Sequence, residues 1–230
     1  MAASTQSWWW TAQAIRAAPF VTAYSAADDF QGSLGRLRSV PPSRLAGQLH
    51  AAGVPVGGCA GGPAQVALAG AGGQSAGAAL VAGACLLARD HHRASAACQV
   101  LCYPVLDFGQ DTESARLFNG VFHSIKPGSW AEDQYLAGQP VTEYAGPLRA
   151  ASLAGLPPAL VIGAGHDPLR DDARAYAARM DADGVDVTHV EYDATMHAFR
   201  NFAGVLSAAD HEIELIAATL AAVLAGPPDR

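Results

Sequence analysis

The sequence predicts the α/β class, a mostly parallel sheet flanked by helices. Three observations carry that expectation. Short apolar runs alternate with longer helical patterns along most of the chain, which is how strand–helix–strand units read. The spans between runs are long enough for crossover helices, and such crossovers are right-handed and join parallel strands. Half of the 230 residues are hydrophobic and 15% are charged, so the chain can fill a core and lacks the composition of a disordered one. A single domain over residues 1–230 is expected. A chain of that size buries roughly 70% of the surface its unfolded form exposes, without a metal or disulfide staple.

The elements follow in order. Residues 1–62 form a divergent amino-terminal segment, with a helical pattern over 23–40 and a Gly- and Pro-rich loop over 53–63. Residues 65–70 (QVALAG) are a short apolar run ending in glycine, the mark of a buried strand. Residues 76–89 are Ala- and Leu-rich and long enough for a helix. Residues 98–106 (CQVLCYPVL) read as a second strand with Pro104 near its end. Residues 107–150 are mixed, with scattered aromatics, and form an excursion. A third strand, 159–164 (ALVIGA), is entered through Pro157-Pro158. The helix over 169–183 has acids in its first turn and Arg later, as its dipole prefers, and Gly184 stops it. Residues 186–192 alternate polar and apolar as a fourth strand, and 208–225 close the chain as a helix ended by Gly226-Pro227-Pro228.

Charge and composition exclude several functions. The net charge is −7, from 14 Lys+Arg against 21 Asp+Glu, which gives no basic grip on nucleic acid. The longest apolar stretches, such as 76–88, fall short of the ~20 residues of a membrane-spanning helix. The amino terminus lacks a basic start followed by a clean apolar run, so it is not read as a signal peptide. Cys59, Cys85, Cys98 and Cys102 have no C-x-x-C spacing and read as buried free thiols. No metal-binding spacing is present. A cytoplasmic protein is expected.

The chemistry is carried by three residues that each follow a strand. Gly73-Gln74-Ser75-Ala76-Gly77 is a G-x-S-x-G placed between the first strand and its helix. A serine on so sharp a turn needs small residues two before and two after it, to clear the strand and the helix. The turn sets its hydroxyl at a helix N-terminus, where the Ala76 backbone N–H could stabilise an oxyanion. Asp167 follows the third strand and His197 the fourth. The order Ser75, Asp167, His197 is that of a nucleophile, an orienting acid and a proton-transferring base on an open α/β sheet.

Each residue has a plainer reading. Asp167 before Pro168 could simply cap a helix. Asp107 follows the second strand and is a rival acid. His197 could be a surface histidine. Asp90-His91-His92-Arg93 reads as solvated loop at the amino edge of the sheet, and His166 as a substrate contact at most.

From Pro63 to Ala225 the chain resembles the hormone-sensitive-lipase-like carboxylesterases, the alpha/beta hydrolase fold-3 family. The resemblance rests on Gly72-Gly73-Gln74-Ser75-Ala76-Gly77, Tyr103-Pro104-Val105-Leu106-Asp107, Pro147-Leu148-Arg149-Ala150, Leu156-Pro157-Pro158, Asp167-Pro168-Leu169-Arg170-Asp171 and Met196-His197-Ala198-Phe199. It implies an α/β-hydrolase fold, hydrolysis of short- to medium-chain carboxylic esters through an acyl-serine, a small-molecule ester as substrate and no cofactor. It also implies that 107–150 forms a lid or acyl pocket. The family's upstream His-Gly-Gly is absent, and His50 is followed by Ala51. The fold is therefore expected to be incomplete at its amino-terminal side, with a strand edge that a homodimer could cover. Two other readings stay open: an impaired or ligand-binding relative, and another serine acyl hydrolase such as a deacetylase.

Overall fold

A computed structural model describes residues 21–22, 70–93, 95–108, 111–125 and 130–225. The helix expected over 23–40, the loop over 53–63, Cys59 and most of the run 65–70 lie outside the described residues. Five strands form one sheet: β1 (Val21–Thr22), β2 (Ala71–Gln74), β3 (Gln99–Cys102), β4 (Ala159–His166) and β5 (Val187–Met196). They lie in chain order and every pair is parallel. The α/β class and the parallel sheet are as the sequence predicts.

A monotonic strand order with right-handed crossovers puts every crossover on one face of the sheet. Helices α1 (Ala76–Asp90) and α4 (Arg170–Ala182) accordingly share a single core with Leu101 and Val161. Helix α5 (Ser207–Ala225) follows the last strand and covers the opposite face, against Val100, Cys102, Leu160 and Ile162. The period-2 alternation of β3 and β4 feeds both cores, which is why residues 100–102 and 159–164 read as continuous apolar runs. Cys85, Cys98 and Cys102 are buried free thiols, as expected. No helix among the described residues is long and apolar enough to cross a membrane.

The strand boundaries differ from expectation in two instructive places. The first central strand occupies Ala71–Gln74, running straight into the serine turn. Its glycines disguise it as a loop, yet one is obligatory: a Cβ on Gly73 would sit 2.4 Å from the Gly77 carbonyl carbon. The last strand extends past Tyr192 to Met196. Ala164 pairs with Tyr192 while His166 pairs with Met196, so β5 carries extra residues and bends there. Gly165 permits the bend, because a Cβ at that position would fall 2.1 Å from the Asp193 carbonyl oxygen.

The excursion 107–150 contains helices α2 (Glu113–Phe118) and α3 (Trp130–Leu136) and a 3-10 turn at Pro147–Arg149. Thr112 caps α2 by accepting the Ala115 N–H at 3.1 Å. Ser114 ties that helix to the start of α4: its hydroxyl donates to the Pro168 carbonyl at 2.9 Å, and its N–H donates to Asp171 at 2.8 Å. Asp172 bonds the same helix to the chain leaving β3. It is 3% exposed, and its Oδ2 accepts the N–H of Leu106 at 3.1 Å and of Asp107 at 3.3 Å.

Candidate active site

All three expected residues leave the sheet at the carboxyl ends of their strands, where open α/β sheets place their chemistry. Ser75 stands between β2 and α1 at φ 53°, a left-handed value. Such a conformation in a non-glycine residue costs about 1–3 kcal/mol and persists only where the surroundings impose it. Here the Ser75 N–H donates to the Cys102 carbonyl at 2.9 Å, while its carbonyl receives the Ala78 N–H at 3.0 Å. The N–H of Ala76, the residue after the serine, belongs to the first turn of α1, whose donors have no partner within the helix.

Ser75 Oγ lies 3.0 Å from His197 Nε2, and His197 Nδ1 lies 2.7 Å from Asp167 Oδ2. The structure thus brings Ser75, His197 and Asp167 into one hydrogen-bonded chain. Asp167 is fully buried, and His197 is 6% exposed. With Nδ1–H donated to the carboxylate, Nε2 is left free to accept the serine proton. Asp167 does not cap the helix, whose N-cap is Leu169, but its other oxygen braces the turn before it. Oδ1 accepts the Leu169 N–H at 2.9 Å at the entrance to α4, which fixes the carboxylate with Oδ2 turned to the imidazole.

The competing residues are placed elsewhere. Asp107 binds Arg149 Nε at 2.5 Å and the Phe108 N–H at 2.7 Å. Residues 90–93 are exposed at the far end of α1. His166 is exposed and meets the Phe118 ring edge-on at 5.4 Å.

Several residues of the site were given no role by the motifs. Tyr103, at φ 37° on the exit of β3, sets its ring 5.2 Å from that of His197 in an edge contact. Its hydroxyl donates to Gln74 Oε1 at 3.2 Å. Arg200, in the 3-10 turn after the histidine, donates to the same Gln74 oxygen at 3.1 Å and to Tyr103 at 3.3 Å. Behind it lies Glu212, fully buried, 3.6 Å from Arg200 Nε. Burial raises the Glu212 carboxyl above its ordinary range against the pull of Arg200. Burial likewise raises the Tyr103 phenol, so it stays a neutral donor. This network ties the residue before the serine to the turn after the histidine. One signal did point to Glu212: it shares the buried stripe of α5 with Ala209, Ile216 and Leu220 at helical spacing.

His123 completes the arrangement from the excursion. Its ring stacks on that of His197 at 4.4 Å between centroids and 16° between planes. Burial, followed by the neighbouring His197, lowers its pKa from the usual 6.5, against the pull of Asp167.

Known proteins share this fold. A family model described as alpha/beta hydrolase fold matches residues 44–201. The carboxylic ester hydrolase LipN of Mycobacterium tuberculosis is 40% identical over 147 residues, covering 60% of this chain and 38% of that protein. An arylesterase of Saccharolobus solfataricus is 34% identical over 131 residues, covering 55% of this chain and 42% of the relative. Among solved structures, the hyperthermophilic esterase of Pyrobaculum calidifontis superposes with TM-score 0.58 at 32% identity, over 66% of this chain and 51% of that one. The esterase LipW of Mycobacterium marinum gives 0.61 at 29% identity, over 69% and 50%. The chain therefore spans about half the length of the relatives it matches or less. With a matched family model over most of the described fold, the chain belongs to the alpha/beta hydrolase fold family, in the hormone-sensitive-lipase-like branch that its motifs resemble.

Proposed function

We propose that the chain is a serine carboxylesterase acting through an acyl-serine, with Ser75 as nucleophile, His197 as general base and acid, and Asp167 as the orienting carboxylate. The observation that carries this reading is the continuous Ser75–His197–Asp167 hydrogen-bonded chain at 3.0 and 2.7 Å, on a turn that holds the serine at a left-handed φ. Ser75 Oγ attacks the ester carbonyl carbon as its proton passes to His197 Nε2. The negative charge forming on the carbonyl oxygen faces the Ala76 N–H and the N-terminus of α1. Return of that proton to the alcohol oxygen breaks the ester bond and leaves the acyl-serine. Water, deprotonated by the same nitrogen, then attacks the acyl carbon. The carboxylic acid leaves and Ser75 regains its proton.

The excursion 107–150 is read as a wall of the acyl site within one domain, because it delivers His123 to the face of His197. Short- to medium-chain esters are the substrate class that the family resemblance favours. The buried, unpaired Cys85, Cys98 and Cys102 fit a reducing, cytoplasmic setting.

The test is hydrolysis of p-nitrophenyl esters of graded chain length, run beside Ser75→Ala, together with a fluorophosphonate probe. The probe should add its mass to the Ser75 peptide, and Ser75→Ala should lose both labelling and turnover. Labelling at another serine, or turnover retained in Ser75→Ala, would sink the reading.

A further inference from the structure

We propose that His123 is a positioning residue for His197: a flat ring stacked on the imidazole that fixes its tilt. This inference rests on the proposed roles of Ser75, His197 and Asp167. Two hydrogen bonds, at 3.0 Å on Nε2 and 2.7 Å on Nδ1, pin two points of the His197 ring. With the Cβ–Cγ bond as a third tether, what these contacts hold least firmly is the tilt of the ring out of its plane. Tyr103 meets it in a T-shaped contact, at 67° between planes, and does not lie flat on it. His123 lies flat on the imidazole, 16° from parallel, so a tilt in either direction drives ring into ring. The same cover keeps water from that face and helps account for the 6% exposure of a histidine in the turn directly after β5.

The segment that presents His123 is built to hold it. The Gly120 N–H donates to the His123 carbonyl at 2.9 Å, and Asn119 Oδ1 accepts both the Ser124 hydroxyl and the Ile125 N–H at 3.0 Å. The flanks anchor to the two loops that carry the other partners. On one side Phe118 packs against His166 at 5.4 Å and under Arg170 at 5.2 Å, beside Asp167. On the other side Phe122 meets Phe202 at 6.4 Å, in the turn after His197. One short turn therefore bridges the acid loop and the histidine loop with its ring between them.

The charge state suits the task. His197 becomes an imidazolium when it takes the serine proton. A neutral aromatic face tolerates a cation against it, whereas a second cation repels it. Two groups act on the charge of His123: His197, which opposes its protonation, and Asp167, which favours it, with burial on the side of the neutral form.

The experiment compares His123→Ala and His123→Phe in the full chain by steady-state kinetics on p-nitrophenyl acetate. A second measurement, the low-field proton resonance of the His197 Nδ1–H, needs no turnover. His123→Ala should lower kcat roughly ten- to a hundredfold with KM within about twofold, and broaden the low-field resonance by exchange with water. His123→Phe, flat and neutral, should restore kcat to within about threefold and keep the resonance sharp. An unchanged kcat and a sharp resonance in His123→Ala would overturn the proposal. So would a loss confined to KM, the mark of a substrate contact. A His123→Phe variant as slow as His123→Ala would also overturn it, by showing that the nitrogen rather than the flat ring matters. Failure of the triad reading is seen separately, as activity surviving in Ser75→Ala.

Discussion

Asp172 offers a quantitative test of how the site is supported. Its carboxylate is buried between α4 and the chain leaving β3, where two opposed effects meet. Two backbone N–H groups, from Leu106 and Asp107, favour the ionised form. Loss of water opposes it, aided by the negative charges of Asp107 and Asp167, and burial wins: the pKa is raised from 3.8 to about 7. The unfolded chain releases this proton near pH 4, while the folded chain keeps it up to about pH 7. Across that window the folded state binds more protons, so stability falls as pH rises. At about 1.4 kcal/mol per pH unit, the window corresponds to about 4 kcal/mol. An asparagine side chain has nearly the same shape and no proton to lose. The variant Asp172→Asn should match the wild type near pH 4 and exceed it by about 4 kcal/mol at pH 8. Urea unfolding at both pH values, followed by circular dichroism, reads the difference directly. A gap that stays constant, or a variant that becomes the weaker protein at pH 8, would refute the reasoning. It would show that the two N–H bonds hold the carboxylate ionised.

Two further outcomes test the packing of the serine turn and of the core. Gly73→Ala places a methyl 2.4 Å from the Gly77 carbonyl carbon and 2.7 Å from the Ala78 nitrogen. That overlap is with backbone, which cannot rotate away, so a loss of about 1–3 kcal/mol is expected. Fluorophosphonate labelling of Ser75 should fall with it, and an unaltered labelling rate would count against the tight turn. Burial pushes the Cys85 and Cys102 thiols up to about 12. Iodoacetamide at pH 8 should therefore leave both unmodified in the folded chain and alkylate both in guanidinium. Mass spectrometry of tryptic peptides distinguishes the cases, and fast modification of either in native buffer would contradict the burial.

Much of the fold was legible because apolar periodicity is strong in the central strands. Residues 159–164 and 100–102 lie between helices on the two faces, so nothing polar interrupts them; the strand expected over 98–106 ends at Cys102, because Tyr103 turns the chain at φ 37°. The strand before Ser75 was shifted by the glycines that the turn itself requires, and glycine reads as a break. The end of the last strand was missed because Asp193, Ala194 and Thr195 do not alternate, while the sheet continues past a bulge that spacing does not announce. At the site, Ser75, Asp167 and His197 were visible because each follows a strand immediately. Tyr103 stood in a quoted motif without a role, and Arg200 and His123 stood in none. Their roles depend on where a loop returns in space, and sequence distance from the serine gives no hint of that return. Asp167 shows a further limit: its position suggested a helix cap, whereas one oxygen braces the turn before the helix and the other faces the imidazole.

The bend at Gly165 sets a length scale for the whole site. Ser75 leaves β2 and His197 leaves β5, three strand intervals apart, or roughly 14 Å at ~4.8 Å per interval. The serine oxygen and the histidine nitrogen nevertheless meet at 3.0 Å. A long, mobile loop could close such a distance, but Met196 is still paired with His166 one residue before His197. The gap is instead closed by curling the sheet edge itself, with the extra residues of β5 folding over Gly165. The base is thus carried inward by a hydrogen-bonded strand, and its reach is set by the curvature of a sheet rather than by the sampling of a loop.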